Sequence, residues 1–458
     1  MAEGILGASF RDPSGFLFER DGVLYRQVDR SCADDYAALM ESGLYEELVR
    51  ERLLVAHEEV QPIDTGAGDL HRTLRPERLP FISYPYEWSF SALKDAAKTT
   101  LDIQLAALRH GMTLKDASAY NIQFHRGRPV FIDTLSFARR TEGSPWVGYR
   151  QFCQHFLAPL ALMARRDVRL SQLLRVHLDG IPLDLASALL PRRAWLNLHL
   201  LMHIRVHARF QKRYEGDARA TERSRPVTSR ALANLVTALR SAVDRLEWKP
   251  EGTEWAEYYD GDSYTDTGSD HKRELVSQCL DVLKPACLWD LGANTGVFSR
   301  LASARGIPTL SFDIDPACVE RNYREVRKTG EENILPLLLD LANPSPGIGW
   351  AHKERESVTA RSNADTVMAL ALIHHLAISN NVPLDRIADF FAGLAPNLII
   401  EFVPKSDPKV KTLLATREDV FPHYTQEGFE AAFQTRFHME AAMDVRDSER
   451  RLYRLKRK

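Results

Sequence analysis

The chain has 458 residues, 44% hydrophobic and 27% charged, and this length and composition predict a globular protein of two or three domains. Its formal net charge is only −2, which excludes the binding of a polyanion through bulk charge alone. The five cysteines are scattered without CxxC spacing, which excludes a zinc ribbon or disulfide framework and predicts reduced thiols in a cytoplasmic protein.

Short strands and helices alternate in residues 1 to about 140. Asp21-Gly22 and Arg126-Gly127 each stand between apolar runs, as in the turns of β-hairpins. The predicted elements are a hairpin at 15–28, a helix at 33–54, a β-prone aromatic piece at 80–86, a helix at 91–111 and a hairpin at 121–133.

The middle of the chain changes texture. Residues from about 141 to 213 predict a helical region rich in arginine and histidine. Its basic residues predict either solvated helix faces or a surface for an anionic substrate, and because base-stacking aromatics are sparse, nucleic acid is not favoured as a partner. We therefore predict a first domain over 1–213, a linker and connecting helix over 214–249, and a further domain over 250–458. No signal peptide and no membrane span are expected.

Strands and helices alternate from residue 250 onward, which predicts a mainly parallel α/β sheet. Its first strand runs into a small-residue turn, "LWDLGANTG" from Leu288 to Gly296, and a helix follows. Glycines at such a turn let the backbone approach a ligand closely. The turn alone fits a dinucleotide, another adenosine ligand or a tight turn without a ligand.

Acidic residues end the next two strands, Asp313 and Asp315 in "FDID" and Asp340 in "LLLD". An acid at the end of the second strand can accept hydrogen bonds from both ribose hydroxyls. Acids closing three successive strands suit pyrophosphate poorly. They favour an adenosine ligand with a positive centre.

Residues 250–458 resemble a class I S-adenosylmethionine-dependent methyltransferase with a Rossmann-like fold. "DLGANTG" matches the glycine-rich motif of that family, and residues 254–276 resemble the lead-in helix and loop that close over the cofactor. The resemblance implies that Asp313 binds ribose and that Asp340 lies near adenine. Asp315 is the alternative ribose ligand, since only one of the paired acids usually faces the ribose. The resemblance also implies that the methionine moiety is held by Asp290, Gly292, Asn294 and Gly296.

A general base helps methyl transfer when the acceptor is a hydroxyl. His374 and His375 follow the fourth strand, where this fold presents its acceptor, and Glu401 ends the fifth. These three are the candidate catalytic residues, and the alternative is that they are packed only for structure. An "NPPY"-like sequence is absent after the fourth strand, which argues against an exocyclic base nitrogen as acceptor.

Asp116, Asn121 and Asp133 form a second pattern, in which an acid, an amide and a second acid are joined by a hairpin. Such a set suits a hydroxyl acceptor facing one acid and magnesium held by the amide and the other acid. The spacing resembles the catalytic loop of the protein-kinase-like superfamily, particularly its small-molecule phosphotransferases. It implies an α+β kinase-like domain with a helical extension from about 141, and a Mg-ATP site at Asn121 and Asp133.

The first domain also departs from that family. Leu114 replaces the expected histidine, "DTL" replaces "DFG", no glycine-rich phosphate loop is evident, and Arg26 stands where a lysine is expected. These departures predict a pseudokinase that positions the acceptor. The predicted function is O-methylation of a saccharide or another small metabolite. One form of this prediction has an anionic acceptor. The alternatives are RNA or protein methylation, and a non-catalytic scaffold of two enzyme-like folds.

Overall fold

The computed structural model describes residues 4–206, 226–251, 266–415 and 418–458. The chain divides into two compact units, Met1–Lys249 with Gly347–Glu356, and Pro250–Pro346 with Ser357–Lys458. The predicted domain over 250–458 therefore differs from the second unit at residues 347–356, which pack with the first. Most of the predicted linker, and residues 254–265 of the predicted lead-in segment, lie outside the described residues.

Antiparallel pairing builds the sheets of the first unit. A four-stranded sheet has the order β1-β2-β4-β3, and two hairpin-like pairs, β5 with β8 and β6 with β7, follow. The strands are β1 Leu17–Arg20, β2 Val23–Asp29, β3 His57–Val60, β4 Leu70–Pro76, β5 Met112–Leu114, β6 Ile122–His125, β7 Arg128–Phe131 and β8 Phe137–Arg139.

Helices make up the rest of the first unit. Its α-helices are α1 Ala33–Glu41, α2 Leu44–Arg50, α3 Phe90–Arg109, α4 Tyr149–Phe152, α5 Ala158–Arg165, α6 Leu173–Val176, α7 Leu183–Leu189, α8 Leu198–Leu200 and α9 Ser229–Asp244. Short π-helical segments occupy Cys153–Leu157 and Leu201–Val206. The predicted helical region beyond about 141 and the connecting helix are thus present as α4 to α9.

Left-handed residues decide where the predicted elements turn. Asp21 and Gly22 have φ of 54° and 74°, and Arg126 and Gly127 have 48° and 69°, as a two-residue hairpin turn requires. Gly43, with φ of 78°, splits the helix predicted at 33–54 into α1 and α2.

The β-prone prediction at 80–86 is wrong. These residues form no strand, and a 3-10 helix begins at Pro85. Proline lacks the N–H that a strand ladder needs, and the backbone N–H of Tyr84 instead donates to the Glu87 carboxylate at 2.8 Å. The aromatic side chains of this segment are buried on an irregular backbone.

A seven-stranded sheet forms the second unit, in the order β11-β10-β9-β12-β13-β15-β14. The first five strands run parallel, and β15 is antiparallel to both β13 and β14. The strands are β9 Leu288–Leu291, β10 Thr309–Asp313, β11 Ile334–Leu338, β12 Thr366–Ala369, β13 Asn397–Phe402, β14 Phe437–Asp444 and β15 Arg451–Arg457. The predicted mainly parallel, Rossmann-like sheet is confirmed.

The described residues of the second unit also form α-helices, and the second, third and fourth of them lie in sequence between parallel strands. The helices are α10 Asp266–Leu283, α11 Ser299–Ser303, α12 Pro316–Thr329, α13 Leu384–Leu394, α14 Pro408–Ala415 and α15 Gln426–Gln434, with a π-helical turn at His375–Ser379. Residues of β9, β12 and β13 are almost entirely buried, because helices cover the central parallel strands. The carboxyl ends of these strands therefore meet at one edge, where a ligand can bind.

All five cysteines are buried and unpaired with one another. Across the described ranges, every helix is too short or too polar to serve as a membrane span.

Candidate functional site

A cavity of about 300 Å³ opens in the second unit, at the turn after β9. Predicted cofactor residues line it together with one predicted catalytic residue: Asp290, Gly292, Asn294, Asp313, Asp340 and His375. The carboxyl ends of β9, β10 and β12 and the segment after β11 thus contribute to one site.

The turn after β9 has the backbone that its sequence predicts. Gly292 and Gly296 have φ of 77° and 80°, and Asn294 between them has 51°. A Cβ at Gly296 would stand 2.5 Å from the Asn322 amide nitrogen, so a side chain there would displace a buried neighbour. Gly296 itself does not line the cavity, and its role is to shape the turn that brings Gly292 and Asn294 to it.

Asp313 and Asp315 take different places although they are two residues apart. The Asp313 carboxylate lines the cavity and accepts from the backbone N–H of Asn294 at 2.7 Å and of Asp315 at 2.9 Å. Burial raises the pKa of Asp313 to about 6. Asp315 instead accepts from the Ala317 N–H at 2.8 Å and caps α12, away from the cavity lining. Asp313 is therefore the acid available to a ligand.

The other two predicted acids also reach the cavity. Asp290 is buried and accepts from the Ser299 hydroxyl at 2.6 Å. Burial, with a smaller contribution from the charge of the neighbouring Asp313, raises the pKa of Asp290 to about 7. Asp340 accepts from the Ala342 N–H at 2.8 Å, which fixes the loop after β11. Three carboxyl groups therefore surround a single small cavity.

Only one of the two adjacent histidines lines the cavity. His374 is fully buried away from it, and neither of its ring nitrogens has a hydrogen-bond partner within the protein. His375 lines the cavity, and burial lowers its pKa to about 4. At neutral pH the imidazole of His375 is therefore uncharged, which is the form that can accept a proton.

Glu401 is held in a buried ion pair, and it is absent from the cavity lining. Its Oε2 lies 2.7 Å from the Lys272 ammonium and accepts from the Ala371 N–H at 2.7 Å. Both charged side chains are nearly inaccessible, at 3% exposure for Lys272 and 0% for Glu401. The geometry does not support the predicted base role for Glu401, because its carboxylate is already engaged by an ammonium.

Lys272 is a further candidate for this site that the sequence analysis did not name. It lies on α10 within the predicted lead-in segment, and its side chain reaches the cavity. Among the described residues lining this cavity, it is the single lysine or arginine. The Phe298 ring packs 4.9 Å from the ammonium. Its position in the segment "HKRELV" before the glycine-rich motif was the available signal.

The first unit holds a separate cavity of about 570 Å³, lined by Asp116, Asn121 and Asp133. The Asn121 amide donates to the Ser136 hydroxyl at 3.2 Å, and that hydroxyl donates to Asp133. Burial raises the pKa of Asp116, and the charge of Asp133 adds to this. The structure thus brings the three predicted residues together.

Protein groups already surround the Asp133 carboxylate. Arg26 pairs with it at 3.1 Å and also with Asp12, and the Leu135 N–H donates to Asp133 at 3.3 Å. Magnesium coordination by Asn121 and Asp133 would require Asp133 to exchange these partners. The described residues contain no cluster of three or more histidine, cysteine or acidic side chains arranged for a metal. The Mg-ATP site stays a prediction.

Comparison with known proteins gives one full-length relative. The chain is 36% identical over 461 residues to the nodulation protein NoeA of Rhizobium meliloti strain 1021, covering 99% of this chain and 96% of that protein. No protein-family model matches the chain.

Two solved structures illustrate similarity to parts of the chain. One is the bifunctional kinase-methyltransferase WbdD, at 14% identity and TM-score 0.30, covering 48% of this chain and 46% of that one. The other is the magnesium protoporphyrin IX methyltransferase of Synechocystis PCC 6803 with bound S-adenosylhomocysteine, at 19% identity and TM-score 0.32, covering 44% and 93%. The match spans less than half of WbdD.

The architecture of the second unit assigns its fold independently of these comparisons. The strand order, the glycine-rich turn after β9 and the acid ending β10 agree with the predicted Rossmann-like fold of class I methyltransferases. The relative spans both units, so its similarity concerns the whole chain. The chain belongs to the family of the nodulation protein NoeA.

Proposed function

We propose that this protein transfers the methyl group of S-adenosylmethionine to a hydroxyl of a saccharide or another small metabolite. The observation that carries the proposal is that His375 lines the cavity beside the cofactor motif. A hydroxyl is a weak nucleophile at neutral pH and benefits from a base, whereas the sulfonium of the cofactor is already activated. The protein then has to orient the acceptor and exclude water.

Charges around the cavity fit the cofactor. The carboxylate of Asp313 suits two ribose hydroxyls, and Asp340 suits the adenine amino group. Lys272 supplies the positive charge that the methionine carboxylate needs, and Glu401 holds Lys272 in place through their 2.7 Å ion pair. Asp290, Gly292 and Asn294 line the same cavity, which supports the proposed cradle for the methionine moiety.

The first unit is proposed to be a kinase-like domain that recognises the acceptor without phosphorylating it. The convergence of Asp116, Asn121 and Asp133 supports the kinase-like assignment. Pairing of Arg26 with both Asp12 and Asp133 supports the pseudokinase version, because Arg26 is then neutralised before any phosphate arrives. A cytoplasmic location, predicted from the cysteines, belongs to this proposal.

Replacing His375 with asparagine is expected to lower the rate of methyl transfer about 100-fold, the scale of a lost general base. The assay follows radiolabelled methyl from S-adenosylmethionine into a panel of mono- and oligosaccharides. Binding of S-adenosylhomocysteine should change little. His438→Asn, on an exposed position of β14, is the matched control and should keep full activity.

Three results would oppose the proposal. Unchanged methyl transfer by the His375→Asn variant would show that His375 is not the general base. Label that enters RNA or protein, with none in any saccharide, would favour the alternative acceptors. Binding of S-adenosylhomocysteine without transfer to any of these acceptors would favour the scaffold.

Affinity for S-adenosylhomocysteine is expected to rise as the pH increases through about 6. The pKa of Asp313 is raised to about 6, so this acid is protonated in the free protein below that pH. Ribose hydroxyls donate to the carboxylate form, so binding at low pH must first remove a proton and weakens as the pH falls. Calorimetric titrations from pH 5 to pH 8 measure the affinity for S-adenosylhomocysteine. In the Asp313→Asn variant, the change in affinity near pH 6 should become smaller.

Loss of the Asp313 carboxylate should also weaken the binding of S-adenosylhomocysteine at pH 8. Asp313→Ala is expected to cost about 1.5–3 kcal/mol of binding free energy, the range for charge-assisted hydrogen bonds. Equal affinities of the wild type and the alanine variant would reject the ribose assignment. Asp315→Ala, by contrast, should act through the stability of α12.

A further inference from the structure

Residues 347–356, here named the insert, lie in sequence between β11 and β12 but pack with the first unit. Backbone hydrogen bonds of 3.0 and 3.1 Å pair Ile348 with Arg355 and close its base. The buried Glu354 accepts from the Trp350 N–H at 2.6 Å. The Arg11 guanidinium pairs with both carboxylate oxygens of Glu354, with Nε 2.7 Å from Oε1 and Nη2 2.9 Å from Oε2. The insert is therefore held in a defined conformation in the first unit.

The insert delivers Arg355 to the cavity of about 570 Å³ that also contains Asp116 and Asp133. The guanidinium lies 4.3 Å from the centroid of the Tyr120 ring, as in a cation–π contact. Its Nη1 donates to the Ala8 carbonyl at 3.2 Å and the Glu354 carbonyl at 2.8 Å. Its Nε is buried and has no hydrogen-bond partner among the residues that the structure describes.

Arg355 also differs from the other basic residues that line this cavity. Arg26 pairs with Asp12 and Asp133, Arg11 pairs with Glu354, and Lys115 lies 3.7 Å from Asp35. Within the described ranges, no carboxylate lies within ion-pair distance of Arg355. The positive charge of Arg355 is thus left for a ligand, whereas the charge of Arg26 is not.

Two further polar atoms beside Arg355 lack partners within the protein. They are the hydroxyl of Tyr120 and Nδ1 of His155, and both are buried. The two rings meet edge to face with centroids 6.1 Å apart, and both residues line the same cavity. Burial and the nearby Arg355 charge lower the pKa of His155 to about 3, so its ring is neutral and can donate from one nitrogen.

Buried polar atoms in native proteins are nearly always hydrogen-bonded, and leaving one unpaired is costly. Five such atoms belong to residues that line this cavity, since Nε of Arg26 and Nδ1 of His57 are also unpartnered among the described residues. The three that lie around Arg355 therefore indicate a ligand at that side of the cavity. A guanidinium N–H, a phenolic O–H and an imidazole N–H are all donors, so the matching group is an oxyanion. An uncharged sugar hydroxyl would leave the Arg355 charge unpaired.

We propose that Arg355, Tyr120 and His155 form an anion subsite in the first unit that binds the phosphate group of a small molecule. The proposal deepens the acceptor-recognition role given to this unit above and rests on it. The insert would then complete a site that residues 1–249 cannot form alone. The same phosphate chemistry could belong to a nucleotide, a phosphorylated saccharide or free phosphate, which the experiment separates.

Calorimetric titrations of the full chain with Mg-ATP, glucose 1-phosphate and inorganic phosphate test the subsite. At least one probe should bind to the wild type, and Arg355→Gln should weaken that binding about 10- to 100-fold, the scale of a lost charge-assisted contact. Lys353→Gln, at an exposed position of the same insert, should bind like the wild type. Binding of only Mg-ATP would identify a nucleotide, binding of only the sugar phosphate a saccharide, and equal binding of all three phosphate itself.

Titration of each variant with S-adenosylhomocysteine serves as the control for folding, because that ligand reports on the second unit. Failure of every phosphate probe to bind, or equal binding by the Arg355 and wild-type proteins, would overturn the subsite. A wild type that binds a phosphate probe but transfers no methyl group would instead count against the proposed function alone. Tyr120→Phe should weaken phosphate binding to a smaller extent, since it removes a neutral donor while keeping the ring under Arg355.

Discussion

Glu401→Ala is expected to lower the free energy of unfolding of the second unit by about 3–5 kcal/mol, the cost of breaking a buried ion pair. The substitution leaves the Lys272 ammonium without its partner at 2.7 Å, in a side chain only 3% exposed. It also removes the acceptor for the Ala371 N–H and leaves Arg450, 4.0 Å away, with one carboxylate fewer. Urea denaturation followed by tryptophan fluorescence measures the change.

Glu440→Ala is the matched control because Glu440 also pairs with a basic residue, Arg454, at 3.3 Å but on the surface. Exposed ion pairs contribute about 0–1 kcal/mol, so the control should unfold almost like the wild type. If Glu401 were the catalytic base, its removal would abolish methyl transfer with little change in stability. A Glu401 variant as stable as the control would therefore contradict the structural role.

Local patterns account for the features that the sequence predicts well. The turn from Leu291 to Gly296 is defined by glycines that adopt positive φ. Asp313 and Asp340 stand at the ends of apolar runs, which the sequence pattern identifies as strands. Because parallel strands end at one edge, their last residues must be neighbours whatever the rest of the fold. The hairpins at Asp21-Gly22 and Arg126-Gly127 are fixed in the same local way.

Pairings between distant segments account for what the sequence did not predict. Glu401 ends a strand as a catalytic acid would, but its partner Lys272 comes from a helix 129 residues earlier. Lys405, close in sequence, pairs with Asp419 instead. Likewise, the amino-acid sequence of residues 347–356 does not indicate that Arg355 packs on Tyr120 in the first unit. Such contacts depend on how elements pack, which spacing along one chain does not encode.

The direction of a side chain is a second limit. His374 and His375 are adjacent, and the sequence indicates only that they point differently. The structure places His375 in the cavity lining and His374 in the core, because the π-helical turn begins at this point. In the same way Asp315 turns to cap α12 while Asp313 remains at the cavity. Both distinctions follow from backbone geometry after the strand end.

Lys272→Met is expected to weaken S-adenosylhomocysteine binding by about 2–5 kcal/mol, the cost of removing one partner from a buried charge pair. Methionine keeps the length and apolar stem of the side chain but removes the charge that the ligand carboxylate needs. Glu401 would then face that carboxylate without the intervening ammonium, which adds repulsion between like charges. Calorimetry of the purified variant measures the loss.

A second ligand separates this specific effect from general damage to the site. 5′-Methylthioadenosine shares the adenosine and the sulfur with S-adenosylhomocysteine but lacks the amino-acid carboxylate. If Lys272 pairs with that carboxylate, the methionine variant should bind methylthioadenosine nearly as well as the wild type does, and only the larger ligand should lose affinity. Equal losses for both ligands would show that Lys272 acts on the shape of the cavity through Glu401. Unchanged affinity for both would remove Lys272 from the cofactor site, and the carboxylate would then have to be held by backbone N–H groups of the turn after β9.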